Sequence, residues 1–142
     1  MKKSVKNMAA DKPVNYEAGK AMRTRTLGQA YVSNAVSNPN DFAAPLQDLV
    51  TAHAWGTVWT RDGLEPKLRS IATVSMLMAL NRPNELKLHM RGALNNGVTP
   101  EQLRELIIHA SVYCGFPAAM DSMRQAKAVL EELAAENAEP PK

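Results

Sequence analysis

The side chains in this 142-residue chain that can do chemistry are three histidines, one cysteine, and arginines and aromatic residues scattered along its middle. Glu85 and His89 stand four apart in a segment of helical periodicity. Both therefore project from one helix face, where a carboxylate can accept a proton from an imidazole. That pair is the acid–base candidate, with Asn81 and Arg82 adding polar character at the helix entrance. As metal ligands the same two groups fall short, because a zinc site needs three or four protein donors and no HExxH or paired Cys/His spacing is present. No metal is expected. His109 reads as a core histidine on an apolar helix face, and Cys114 as a buried thiol with no evident base beside it. His53 lies next to Trp55, and Trp55 and Trp59 share a face by four-residue spacing, as core packing or as one aromatic wall of a ligand pocket.

The elements that must position these groups all read as helices. Apolar residues recur every three or four positions, β-branched alternation is nearly absent, and no sheet is expected. A first helix is predicted over 16–34, with Met22, Leu27, Ala30 and Tyr31 inward, stopped by Ser37-Asn38-Pro39-Asn40. Phe42, Leu46, Leu49, Val50, Ala54 and Val58 carry a second through Thr60, with Pro45 near its start. A third spans 65–80 with hardly a polar face and is expected to be the buried centre. Asn84 is the expected cap of the helix that carries Leu86, Leu88, His89, Met90, Ala93 and Leu94, which closes at Asn95-Asn96-Gly97. Thr99-Pro100-Glu101-Gln102 gives a capping box with Pro at the first helical position. The helix begun there buries Leu103, Leu106, Ile107, Ala110 and Tyr113 until Gly115-Phe116-Pro117. A last helix runs over 117–135. Met76, Met78, Met120 and Met123 fall at core positions of these helices and read as core filling, not as a copper-binding set.

Composition narrows the class further. With 45% hydrophobic residues, one Cys and seven Gly, the chain is neither disordered, disulfide-stapled nor collagen-like. Its length suits one compact domain. The net charge of +3 is accounted for by residues 1–15, where Lys2, Lys3, Lys6 and Lys12 face only Asp11. This reads as a basic, flexible tail in front of a neutral body, not as a nucleic-acid footprint. The domain proper is placed at 16–136, with a polar C-terminal tail at 137–142. Neither a secretion signal nor a membrane span is apparent, so a cytoplasmic location and no membrane partner are expected.

Trp55-Gly56, Trp59, Arg61, Gly63-Leu64, Arg69-Ser70, Ala79-Leu80-Asn81, Glu85-Leu86, Leu88-His89, Ala93, Asn96-Gly97-Val98-Thr99 and Tyr113-Cys114-Gly115-x-Pro117-Ala118-Ala119 together resemble the 4-carboxymuconolactone decarboxylase family. Upstream, Met22-Arg23, Leu27-Gly28 and Tyr31-Val32 resemble the start of that family. The wider superfamily includes alkylhydroperoxidase-D-like proteins with a Cys-x-x-Cys-x-x-x-His relay. Here Arg82 and Glu85 stand at the two cysteine positions, His89 at the histidine, and Ser70 near a preceding glutamate, so a thiol peroxidase is not expected.

The resemblance implies an all-α, AhpD-like bundle of about six helices, assembled as a trimer or hexamer, with no required cofactor. It implies a carboxy-lyase acting on 4-carboxymuconolactone or a close unsaturated lactone acid in protocatechuate-type aromatic catabolism. In that reaction the substrate's own double bond and lactone carbonyl accept the electrons released with carbon dioxide. The protein must desolvate the departing carboxylate, steady the dienolate and supply a proton. His89 is the expected proton donor and Glu85 its orienting partner. Arg69, Arg61 or Arg82 would grip the second carboxylate of a small dicarboxylate substrate, and Trp59 and Tyr113 would form a water-excluding wall. A diverged lyase or isomerase on another small keto or unsaturated acid, and a non-catalytic oligomeric binding module, are the alternatives.

Overall fold

A computed structural model describes residues 12–138. Among these the secondary structure is entirely helical: α1 (Tyr16–Leu27), α2 (Gln29–Val36), α3 (Ala44–Leu49) running on as a π-helix (Val50–Val58), α4 (Pro66–Ala79), α5 (Pro83–Asn95), α6 (Pro100–Cys114) and α7 (Phe116–Ala138). The expected six helices become seven, because the predicted 16–34 helix is two. Gly28 adopts φ +94, a conformation an L side chain rarely takes, and divides it. The break also re-aims the second half. Val32 is fully buried, whereas Ala30 and Tyr31, expected inward, are exposed.

Backbone contacts group the chain into two units, the first comprising residues up to Thr24 and Gly28–Arg61, the second Arg25–Leu27 and everything from Asp62 onward. In the first unit, α1 and the π-helix pass so close that a Cβ on Gly19 would run into the Thr51 carbonyl oxygen, and one on Gly56 into that of Asn15. Apolar spacing anticipated a helix here but not its wider winding. In the π-helix a backbone N–H bonds five residues back, as Trp59 N–H does to Ala54 O at 3.0 Å. Trp55 and Ala52 are buried, but Phe42, Leu46, Leu49 and Val58, which carry the helical spacing, are exposed. Lys12 is tied down by Asp48, its Nζ 2.7 and 2.8 Å from the two carboxylate oxygens, and this hydrogen bond raises the lysine's pKa. The rest of the basic segment, 1–11, lies outside the described residues, as do the last four.

The second unit holds four helices around one core. α4 packs on α5, α6 and α7, and α7 also meets α5 and α6. Each contributes apolar residues at helical spacing: Val74 and Met78 from α4, Leu86, Met90 and Ala93 from α5, Leu103, Ile107 and Ala110 from α6, and Ala119, Ala126 and Val129 from α7. α4 is not wholly buried as its composition suggested. Leu68, Met76 and Leu80 remain exposed along one side. Of the four methionines read as core, Met78 is buried and Met123 packs against the core, but Met76 and Met120 are 56% and 60% exposed. Tyr113 is likewise exposed, and so is His109.

The local signals fare better at the helix ends. Thr99 Oγ1 accepts from the Gln102 N–H and the Gln102 side chain accepts from the Thr99 N–H, both at 3.1 Å, closing the expected capping box. Gly97 and Gly115 take positive φ where the chain turns. Asn84 does not cap α5. Pro83 occupies the first turn, Arg82 takes the cap position, and Asn81 is left-handed at φ +53. α5 is tied to α7 by Lys87–Glu132 and by the bidentate Arg91–Glu136 pair, and the Arg91 hydrogen bond holds the Glu136 carboxyl below its ordinary value. α7 continues through Ala138, beyond the expected end.

Because the capping box supplies both missing partners at the start of α6, Thr99→Ala is expected to lower stability by about 1 kcal/mol. Urea denaturation monitored by circular dichroism measures the difference.

Candidate active site

His89 sits in the middle of α5, between the buried residues Leu86 and Met90. Those anchors leave the imidazole half-buried, and its Nδ1 atom is shielded from solvent. Glu85, one turn earlier in the first turn of α5, is exposed. The two share a helix face as their spacing requires. On their own helix they do not make a closed hollow, because Glu85 faces open surroundings.

A second pair has the same spacing, and it includes His109, which an apolar helix face suggested as a core residue. Glu105 and His109 are four apart on α6, and both are exposed. His109 makes a tilted ring contact with Tyr113 at 5.3 Å. Spacing does not separate the two pairs; burial does. His89 alone of the three histidines is partly removed from water, since His53 is exposed as well.

The remaining candidates scatter. Arg69, half-buried on α4, donates from Nε to the Leu64 carbonyl oxygen at 2.9 Å. Arg82, exposed, borders a cavity of about 190 Å³ in the second unit together with Asn81, Met78, Leu86, Asp121 and Ser122. Arg61 is exposed at the end of the first unit. Trp59, at the C-terminal end of the π-helix, stacks on Trp55 at 4.6 Å in the first unit. Tyr113 is 78% exposed, so burial within α6 does not hold it as a wall. Cys114 is partly buried and packs against the core of the second unit. Among the described residues, no three His, Cys, Asp or Glu side chains converge in a way that could hold a metal ion, and no helix is long and apolar enough to cross a membrane.

Beneath the start of the loop after α5 lies a polar cluster that spacing could not reveal. The Asn96 amide donates to Ser70 Oγ at 3.1 Å and to Thr26 Oγ1 at 3.2 Å, and the Asn95 amide donates to the Thr26 carbonyl oxygen at 2.9 Å. Ser70 and Thr26 are fully buried, so these bonds satisfy groups that water cannot reach. They fix the C-terminal end of the helix that carries His89. Ser70 and Asn96 fall within the motif run; what the sequence withheld was their meeting across 26 positions.

The sequence model described as the carboxymuconolactone decarboxylase family matches residues 44–128. The chain is 42% identical to a 4-carboxymuconolactone decarboxylase of Acinetobacter baylyi over 118 residues, 83% of this chain and 88% of that one. It is 45% identical to a nitrosuccinic acid decarboxylase of Metarhizium robertsii over 108 residues, 76% of each chain. A 4-carboxymuconolactone decarboxylase of Pseudomonas putida matches over 46 residues at 37% identity, 32% of this chain and 96% of that one.

The differing exposure of the histidines has a direct chemical readout. Diethylpyrocarbonate is expected to modify His53 before His89, with peptide mapping by mass spectrometry over a time course giving the order. Equal rates at the two sites would contradict the shielding of the His89 ring.

Proposed function

The chain belongs to the carboxymuconolactone decarboxylase family, and from that premise we propose that it is a carbon–carbon lyase that decarboxylates a small dicarboxylate carrying its own electron sink. The observation that carries this reading is the identity above 40%, over most of the chain, to two decarboxylases whose named substrates differ. The chemistry those substrates share defines the class. In 4-carboxymuconolactone the electron pair left by carbon dioxide passes through the ring double bond into the lactone carbonyl, giving a dienolate. In nitrosuccinate it passes into the nitro group as a nitronate. Each molecule keeps a second carboxylate by which it can be held. With the sink inside the substrate, what remains for the protein is to hold that carboxylate, exclude water and return one proton to carbon.

His89 is the proposed proton donor. Its ring is partly withdrawn from solvent and rigidly mounted by Leu86 and Met90, which suits a group that must deliver a proton to a fixed atom. Glu85 is the proposed partner that orients the ring. Arg69, Arg61 and Arg82 are the proposed grips for the retained carboxylate, and Trp59 and Tyr113 the proposed apolar wall. An unsaturated lactone acid of protocatechuate-type catabolism is the first substrate to test. A nitro or keto acid is the second, favoured by the nitrosuccinic acid decarboxylase relative.

Closure of such a site calls for further protein mass over Glu85. The second unit also exposes Leu68, Met76 and Leu80 on α4, and Ile108, Val112, Tyr113, Phe116 and Met120 on α6 and the start of α7. Covering what remains exposed of each side chain returns part of the about 1.5–3 kcal/mol that complete burial is worth. Copies of this chain, in a trimer or hexamer, are the proposed cover.

Two experiments bear on these proposals. Ultraviolet turnover with 4-carboxymuconolactone and with nitrosuccinate is expected to find decarboxylation of one of them above the uncatalysed rate. His89→Ala should then lower kcat by ~10²-fold or more, Glu85→Gln less, and His109→Ala not at all. Turnover of neither acid would leave the binding-module alternative, and full activity in His89→Ala would end the assignment of the donor. Analytical ultracentrifugation at micromolar concentration is expected to show a trimer or hexamer that Phe116→Glu weakens, and a monomer would overturn the proposed cover.

A further inference from the structure

Arg23 is a buried charge in the first unit that meets no carboxylate among the described residues. It is only 4% exposed, and its contacts are to neutral groups: Nη1 donates to Thr51 Oγ1 at 3.0 Å, and Nη2 to Gln47 Oε1 at 2.8 Å. The Thr51 hydroxyl spends its own proton on the Gln47 carbonyl oxygen at 2.7 Å, which turns its lone pairs toward the guanidinium. Both acceptors thus hold the fork in one orientation. Nε–H, also buried, finds no acceptor among the described residues. The carboxylate next along the same helix, Asp48, is occupied at both oxygens by Lys12.

A buried guanidinium is expected to face a carboxylate or a comparable anion, because removing the charge from water is otherwise uncompensated. Five N–H groups are available on an arginine and two are engaged here, so a set of rigidly aimed donors remains. The Tyr31 ring lies 5.8 Å from the guanidinium carbon and is itself 39% exposed, which puts the charge one ring away from solvent. We propose that Arg23, positioned by Gln47 and Thr51, anchors a binding site for the carboxylate group of a small organic acid. A carboxylate fits better than phosphate for two reasons. The free donors lie on a planar fork that matches two carboxylate oxygens, and a single guanidinium balances one negative charge, not two.

None of this depends on the decarboxylase reading, since an anion can bind in the first unit whether or not the protein turns over a lactone. The sources that share this chemistry are a substrate or product acid, a free metabolic acid, and a carboxylate of the chain itself, and the test separates them. Full-length wild-type protein is titrated with succinate, acetate, inorganic phosphate and chloride at matched ionic strength, by calorimetry and by following the Arg23 Nε–H signal in ¹H–¹⁵N spectra. Succinate and acetate are expected to shift that signal and to bind, with phosphate and chloride weaker. Arg23→Lys keeps the charge but loses the fork, and should bind succinate about tenfold or more weakly. Arg23→Met should lose binding altogether. Because the readout on Nε–H uses the wild-type protein, the proposal stays testable if Arg23→Met fails to fold.

Any of these results would overturn it: an Nε–H signal unmoved by tens of millimolar succinate, an equal shift by chloride, or undiminished succinate binding in Arg23→Lys. Asp11→Asn covers the internal source. Unchanged succinate binding in that variant supports the site, whereas binding that appears only once Asp11 is neutralised means that the chain already pairs Arg23, and the proposal falls. Where the decarboxylase assay succeeds, a competitive effect of succinate on turnover that Arg23→Lys removes identifies the bound acid as substrate or product; succinate binding without such competition identifies a separate ligand.

Discussion

Leu86, Met90 and Ala93 lie at intervals of four and three along α5, and their burial against α4 and α7 decides where every other residue of that helix points. Complete burial of the leucine and the methionine stabilises this docking by about 1.5–3 kcal/mol each. With those positions committed inward, the residue just before Met90 has one direction left, along the flank of the helix. His89 therefore emerges half-buried, and Glu85, a turn earlier, emerges into the open. The paired salt bridges to Glu132 and Glu136 secure the outer flank of the same helix, and the Asn96 amide secures its end through Ser70 and Thr26. A side chain mounted this way has already lost much of its freedom to packing, which is what the proton-donor role proposed for His89 requires.

The chemistry asked of such a mount is modest. In the proposed mechanism the acceptor of the electron pair is built into the substrate, the protein has no need to create one, and the role proposed for His89 is confined to returning a proton. This explains how one family can include decarboxylases named for a lactone and for a nitro acid: the sink travels with the substrate while the helix scaffold is kept. It also fits the absence of the dithiol pattern, since Arg82 and Glu85 fill the positions where the peroxidase branch carries its cysteines.

Polar burial is spent unevenly in the two units. In the second, Ser70 and Thr26 are met by a side-chain amide, and no charged residue is fully buried among the described residues. In the first, a full positive charge is held among a hydroxyl, an amide oxygen and an aromatic ring. A neutral network of the former kind adds rigidity at little electrostatic cost, whereas the latter arrangement keeps a cost that an anion can remove.

By itself the sequence determined whatever depends on neighbours close along the chain. All-helical character, the Thr99 capping box, the positive φ of Gly97, the break at Gly115, and the inward rows of Leu86, Met90 and Ala93 on α5 and of Leu103, Ile107 and Ala110 on α6 follow from spacing and backbone sterics acting within one or two turns. The motif run likewise carried the family. Tertiary structure alone decided which side of each apolar helix meets another helix. Met76, Met120, Tyr113 and His109 have the same local pattern as buried residues, and nothing within a turn of them records that they are exposed among the described residues. The same holds for the π-helix at Val50–Val58, whose winding goes with the close passage of Gly19 and Gly56. It holds too for the meeting of Arg23 with Gln47 and Thr51, because contacts across 24 and 28 positions leave no periodic trace in the residues between them.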